Sequence, residues 1–254
     1  MIELMLALVL TQASDESVVL KHVTYQLKKP AGSNLPVESA CYFHPFTTPS
    51  GAVVTDVAPG DHKHHRGIFL AWFDMKGRKD ADFWGWGMYA PVKDRVIVNR
   101  GVRKGEGSTT VENQWLAEGE TLLKETLTFS PRVEGSASVL DLVYVLNVDA
   151  DLRIAKGAFS GFCLRMRKDG KVTVEGPEGE VKRPAPHHMK PETDWPAQPW
   201  YGYQVTLPDG AQQPRDQHAK FHAFSFFISS QRPAAPQKPG DTFSLWMASP
   251  TLIG

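Results

Sequence analysis

Gly67-Ile68-Phe69-Leu70-Ala71-Trp72-Phe73 is the stretch whose reading decides the fold. Successive residues of a strand point to opposite faces. This segment is apolar on both, as a central strand would be. Working outward, Val18 to Leu27 mixes β-branched and apolar residues on the N-terminal side. On the C-terminal side lie Arg95-Val96-Ile97-Val98 and Ser108-Thr109-Thr110-Val111, two short strands separated by a Gly-rich turn. Thr121 to Phe129, Val139 to Val148, Phe159 to Met166 and Phe221 to Ser229 continue the series. Pro30-Ala31-Gly32, Asp169-Gly170 and Pro208-Asp209-Gly210 punctuate it. No long stretch has helical periodicity, and neither a repeat nor a linker interrupts the pattern. The sequence predicts an all-β chain, a large antiparallel β-sandwich in a single domain over residues 14–254.

Composition narrows the ligand. Hydrophobic residues make up 41% and charged residues 22%, enough apolar side chain for a sizeable core. Lys+Arg and Asp+Glu both total 28. Nucleic-acid binding needs a basic stripe, which is absent, so small uncharged or weakly charged molecules are the expected partners. The apolar run Ile2 to Leu10 is too short to span a bilayer. Residues 1–13 fit a secretory signal, with Thr11-Gln12-Ala13 at the cleavage position and Glu3 where a basic residue is usual. The expected location is periplasmic or secreted. The alternatives are a mis-assigned start codon and a buried first strand. Cys41 and Cys163, distant in sequence and on apolar strands, read as buried thiols.

Just before the central strand stands Asp61-His62-Lys63-His64-His65-Arg66-Gly67. Imidazoles, a carboxylate and a guanidinium at a strand mouth can do acid–base work near neutral pH. If the strand starts early, period-two geometry puts His62 and His64 on one face and His65 on the other, with Gly67 and Phe69. We expect His65 to be the inward residue, because Gly67 on its face leaves room for a ligand. His62 and His64 on one face could also ligate a metal, with a third ligand from far along the chain.

After the strand comes Asp80-Ala81-Asp82-Phe83-Trp84-Gly85-Trp86-Gly87. Glycines between tryptophans let the rings lie flat against a ligand. Sugar rings suit aromatic stacking, and Asp82 can accept hydrogen bonds from hydroxyls. Glu125, Asp141 and His222 fall on strand faces that otherwise read as apolar. A buried ionisable group there is either a satisfied structural pair or looks into a cavity. From Lys182 to Tyr203 five prolines accompany His187, His188, Trp195, Trp200 and Tyr201. Proline at that density excludes interior strands, and we expect this loop to fold over the His cluster. Serine-hydrolase, phosphate-binding, dinucleotide and zinc-protease motifs are absent.

Tyr42-Phe43-His44-Pro45-Phe46-Thr47-Thr48-Pro49-Ser50-Gly51, the Asp61–Gly67 cluster and Asp82-Phe83-Trp84 together resemble a bacterial family of exported proteins labelled methane oxygenase PmoA-like. The likeness is clear from about Tyr42 to Gly87. Trp115 to Glu125 and Trp200-Tyr201-Gly202 are loosely similar. The resemblance implies a β-sandwich, and one form it allows is the supersandwich of galactose mutarotases. Such sugar-active proteins set histidines and a carboxylate in a concave sheet face. The membrane methane monooxygenase subunit is a bundle of transmembrane helices, and no segment here is apolar enough for one.

The leading expectation is a carbohydrate-active enzyme: a glycoside hydrolase or lyase, or a sugar epimerase. His65 or His64 would be the acid–base group, Arg66 an anchor, and Asp82 or Glu125 the partner carboxylate. Trp84, Trp86 and Trp200 would form the sugar platform, with His62 and His222 as further substrate contacts. No cofactor is required. The alternatives are a non-catalytic sugar-binding module and a metal-dependent oxygenase built on His62 and His64.

Overall fold

The computed structural model describes residues 16–35, 40–135, 137–154, 161–182, 202–206, 242–244 and 251–253. Among them every regular element is a strand. The signal-like residues 1–13, most of the proline-rich stretch, Trp200, the strand expected at Phe221 to Ser229 and His222 lie outside the described residues.

Two sheets carry the architecture. The six-stranded one runs β1 (Ser17–Leu20), β2 (Val23–Gln26), β3 (Tyr42–Phe46), β4 (Ile68–Ala71), β11 (Gly161–Arg165), β16 (Thr251–Ile253) in spatial order. Its neighbours are antiparallel except β11 and β16, which are parallel. The five-stranded one runs β15 (Thr242–Ser244), β9 (Ala137–Asn147), β8 (Glu120–Glu134), β7 (Thr109–Ala117), β6 (Arg95–Lys104), all antiparallel. Two small sheets, β5 (Met75–Lys76) with β10 (Arg153–Ile154), and β12 (Lys171–Gly176) with β13 (Gly179–Glu180) and β14 (Gly202–Thr206), complete the order.

Alternation fixes which side chains meet. In β7 Val111, Asn113 and Trp115 are buried, and in β8 their partners Leu127, Glu125 and Leu123 are buried too. Phe129 on the same face of β8 meets Phe43 at 5.1 Å and Tyr25 at 5.4 Å, so the two sheets pack face to face as a sandwich. Asp141 departs from expectation. Its strand pairs Val143 with Thr128 and Asp141 with Ser130, the outward face of β8. Val143 is therefore exposed, and Asp141 is a surface residue paired with Arg132.

Phe43, Ile68 and Leu164 sit side by side across β3, β4 and β11, and they point at the five-stranded sheet. Phe69, Cys163 and Arg165 therefore take the other face. That face is not left to water. Every residue of β4 and β11 is buried, as the apolar run from Ile68 demands. The loops before and after β4 form the covering layer, and the candidate site lies between them and the sheet.

Candidate functional site

The strand does not start early. The segment turns between Asp61 and His64, Arg66 makes an isolated bridge to Val57, and regular strand pairing begins at Ile68. His62 N donates to Pro59 O at 3.0 Å and His65 N to His62 O at 3.0 Å, while Ala58 N closes onto His65 O at 2.8 Å. Curled this way, the segment gathers all three imidazoles instead of splitting them between faces. His62 stacks on His65 with centroids 4.6 Å apart, and His64 meets His65 edge-on at 4.5 Å. His62 is exposed, His64 half-buried, and His65 only 1% exposed.

Gly67 serves the backbone rather than a ligand. Its φ is +52°, and a Cβ built there would stand 2.0 Å from Phe43 O. Only glycine lets the chain come this close to β3 in a left-handed conformation. Gly67 N donates to Asp56 O at 2.9 Å, and Gly67 O accepts from Arg165 N at 2.7 Å. These bonds fix the cluster to the sheet.

Arg165 forms the floor, and sequence reasoning missed it. Its side chain is fully buried, with Nη1 3.2 Å from His65 Nδ1. Guanidinium can only donate, so Nδ1 accepts, and the neutral His65 carries its proton on Nε2. His65 Nε2, His64 Nε2, and Arg165 Nε and Nη2 are buried without a hydrogen-bond partner. Arg165 Nε is 3.7 Å from Asp56 Oδ2, and Nη2 is 3.5 Å from Asp61 Oδ1. Asp61 is held at the rim by Lys168 at 2.6 Å and by His62 Nδ1 at 3.1 Å. The sequence did carry one signal for Arg165: a cation inside the apolar run Phe162-Cys163-Leu164-Arg165-Met166.

Arg66 ties loops together. It is 2% exposed, lies 4.3 Å over the Phe69 ring, and donates from Nη2 to Phe83 O at 2.9 Å and from Nη1 to Trp84 O at 3.4 Å. Asp82 is also spent on the backbone. Its carboxylate accepts from Gly85 N at 2.7 Å and Gly87 N at 2.6 Å, holding the Trp84-Gly85-Trp86-Gly87 loop in shape. Trp84 is 2% exposed and donates from Nε1 to Cys163 Sγ at 3.2 Å, so it is a wall behind His64 (4.5 Å) rather than an open platform. Trp86 is half-buried and continues the aromatic path from Trp84 (5.8 Å) to Phe73 (6.1 Å) and on to exposed Tyr89.

Glu125 does not join the histidines. It lies between the sheets, on the opposite face of the six-stranded sheet, and accepts from Asn113 Nδ2 at 2.8 Å and Trp115 Nε1 at 2.9 Å. Burial lifts its carboxyl to about 7 against the pull of those two bonds.

Electrostatics set the protonation states of the cluster. Burial, then neighbouring His62 and two guanidinium groups, bring His64 down to about 4. Burial followed by His64 and Arg165 pushes His65 well below the usual imidazole range. Both are neutral at pH 7. Lys168 holds Asp61 well below the usual carboxylate range. Among the described residues no group of three or more His, Cys, Asp and Glu side chains is arranged to hold a metal ion.

Fold and site define an all-β sandwich protein with a histidine–arginine cluster on the outer face of one sheet. The chain belongs to a family of unknown function (DUF6807), matched over residues 12–236. No curated protein and no solved structure matches it. No helix of the described residues is long and apolar enough to cross a membrane.

Proposed function

We propose that the protein is a carbohydrate-active enzyme working by imidazole proton transfer, as a sugar epimerase or a lyase does, rather than by a pair of carboxylates. One observation carries this reading. Exposed His62, with Asp61 behind its Nδ1, stacks on buried His65, whose Nε2–H is set as a donor by Arg165. A carboxylate on Nδ1 orients an imidazole and leaves its Nε2 to take a proton, while a neutral Nε2–H can polarise a substrate oxygen. Hydrolysis by the usual route needs two carboxyl groups flanking one bond. Asp82 and Glu125 have their oxygens engaged and lie on different faces of a sheet.

Trp86 and Tyr89 offer an aromatic surface leading away from the imidazoles, which suits the C–H faces of sugar rings. A non-catalytic sugar-binding module would use the same surface but would not need the His62–Asp61 pair. The resemblance to an exported PmoA-like family and the apolar residues near the N-terminus support a periplasmic or secreted location. Sequencing the N-terminus of the mature protein tests the location.

The activity test is nuclear magnetic resonance of a panel of free sugars and glycosides in D2O with purified protein. Faster anomeric interconversion, deuterium exchange at a sugar carbon, or appearance of an unsaturated product supports the reading. Binding without any of these leaves the module, and release of reducing ends without exchange favours hydrolysis.

A further inference from the structure

Arg165 spends one nitrogen on His65 and turns the other edge of its guanidinium, Nε with Nη2, towards two carboxylates. At 3.7 and 3.5 Å neither carboxylate makes a good hydrogen bond with it. Asp56 Oδ1 accepts from Val57 N at 2.8 Å, and Asp61 Oδ2 accepts from Lys168. The oxygens facing Arg165 are the remaining ones, Asp56 Oδ2 and Asp61 Oδ1. Each gap thus pairs a donor nitrogen with an acceptor oxygen. A hydroxyl about 2.9 Å from the nitrogen and about 2.7 Å from the carboxylate closes either triangle, because it both accepts and donates. Two adjacent nitrogens of one guanidinium edge match two oxygens held on neighbouring atoms.

We propose that Arg165, Asp56 and Asp61 form a clamp for a vicinal diol, and that the ligand is a neutral sugar rather than an acidic one. The clamp rests on the sugar-active reading and names its substrate class. Charge decides for neutrality. Around the site Arg66, Arg165 and Lys168 are matched by Asp56, Asp61 and Asp82 without any ligand. A ligand carboxylate at the Arg165 edge would sit against Asp56 and Asp61, a repulsion that low local dielectric strengthens. A buried guanidinium with two nitrogens that make no hydrogen bond is costly unless something supplies closer acceptors. Both nitrogens are closed from solvent, so the exposed turn at Asp61 to Lys63 has to part to admit the diol.

The test is calorimetric titration of the wild-type chain, Asp56→Asn and Trp86→Ala. The probes are methyl glucoside, galactoside and mannoside, their monodeoxy analogues, D-glucuronate, and cis-1,2-cyclohexanediol. The clamp in a sugar-active protein predicts that at least one neutral glycoside binds, and the clamp itself that removing one hydroxyl of the bound diol weakens it about 10-fold or more. It also predicts that glucuronate binds no tighter than the neutral counterpart and that Asp56→Asn weakens the glycoside. The wild-type comparisons need no variant to fold. Glucuronate binding about 10-fold tighter than its neutral counterpart overturns the clamp. Glycosides that bind, weaken in Trp86→Ala, and ignore both the deoxy change and Asp56→Asn also overturn it, while the sugar reading stands. Binding of the cyclohexanediol alone, sensitive to Asp56→Asn, keeps the clamp and removes the sugar. No binding by any probe overturns both.

Discussion

Nη1 of Arg165 lies 3.2 Å from Nδ1 of His65, in the interior, and this contact decides which His65 nitrogen carries the proton. His62, stacked on the same ring, is exposed and has Asp61 on its own Nδ1. The two imidazoles therefore answer differently to removal. His62→Ala should leave the melting temperature unchanged and lower turnover about 100-fold or more, as loss of a general acid–base group does. His65→Ala should lower both, because it opens a cavity and leaves Arg165 Nη1 unpaired, at about 1–3 kcal/mol for the lost partner alone. Thermal melts and turnover on each variant check this. Near-wild-type turnover by both would remove the cluster from the chemistry.

Acid should weaken the fold through His64 and His65. Their folded pKa values lie below 6.5, at about 4 for His64. Between about pH 6.5 and 4 the unfolded chain binds more protons than the folded one, so stability falls as pH is lowered through that window. Above about 6.5 the contribution is fully present. Urea melts at three pH values across the window should slope less steeply for His64→Asn than for wild type. Parallel slopes would contradict the assignment.

Glu125 works in the opposite sense. Its folded pKa is raised from 4.5 to about 7, so its contribution is full below 4.5 and lost as pH rises through about 7. In Glu125→Gln the amide nitrogen faces one of the donors Asn113 Nδ2 or Trp115 Nε1, at a cost of about 1–3 kcal/mol. The variant should be clearly less stable than wild type at pH 5, and the gap should narrow at pH 8.5. Denaturant melts at both pH values decide it. A gap that widens with pH would mean that the carboxylate is the favoured form.

Gly67→Ala should be the most damaging small change in the site. The added Cβ meets Phe43 O, a backbone atom that moves only if β3 and β4 separate. We expect about 3 kcal/mol or more of lost stability, or failure to fold. Gly119→Ala is the control, with φ +82° but nothing within 4 Å of the added carbon, and should cost about 1 kcal/mol. Equal melting temperatures for the two variants would show that the close approach is unimportant.

Strands were legible because burial alternates cleanly. Leu123, Leu127 and Phe129 read as one apolar face around Glu125 from the sequence, and they are buried. Asp141 shows where this fails. Val139, Val143 and Val145 look like a core face, yet the face is set by pairing with β8, and Thr126 and Thr128 already point outward there. The His cluster was legible as composition. Its geometry was not, because period-two reasoning assumes extended chain, and bonds from Pro59 to His65 curl it instead. Arg165 was hidden for a related reason. A cation in a hydrophobic run looks like the polar face of an edge strand until the covering loops bury both faces. Asp82 was visible as a carboxylate beside tryptophans, but nothing local reveals that the backbone of Gly85 and Gly87 claims it.

Gly67 bonded to Asp56 on one side and to Arg165 on the other joins one stretch of loop to a strand far along the chain. The His65–Arg165 contact alone spans 100 residues of chain. Closing so long a loop costs entropy before any contact is gained, and folds dominated by such non-local pairing form slowly. On a ribosome the imidazoles would wait, solvated and unshifted, until β11 had emerged and docked. A fragment ending before Arg165 would keep every histidine of the cluster and lose the guanidinium that sets the proton of His65.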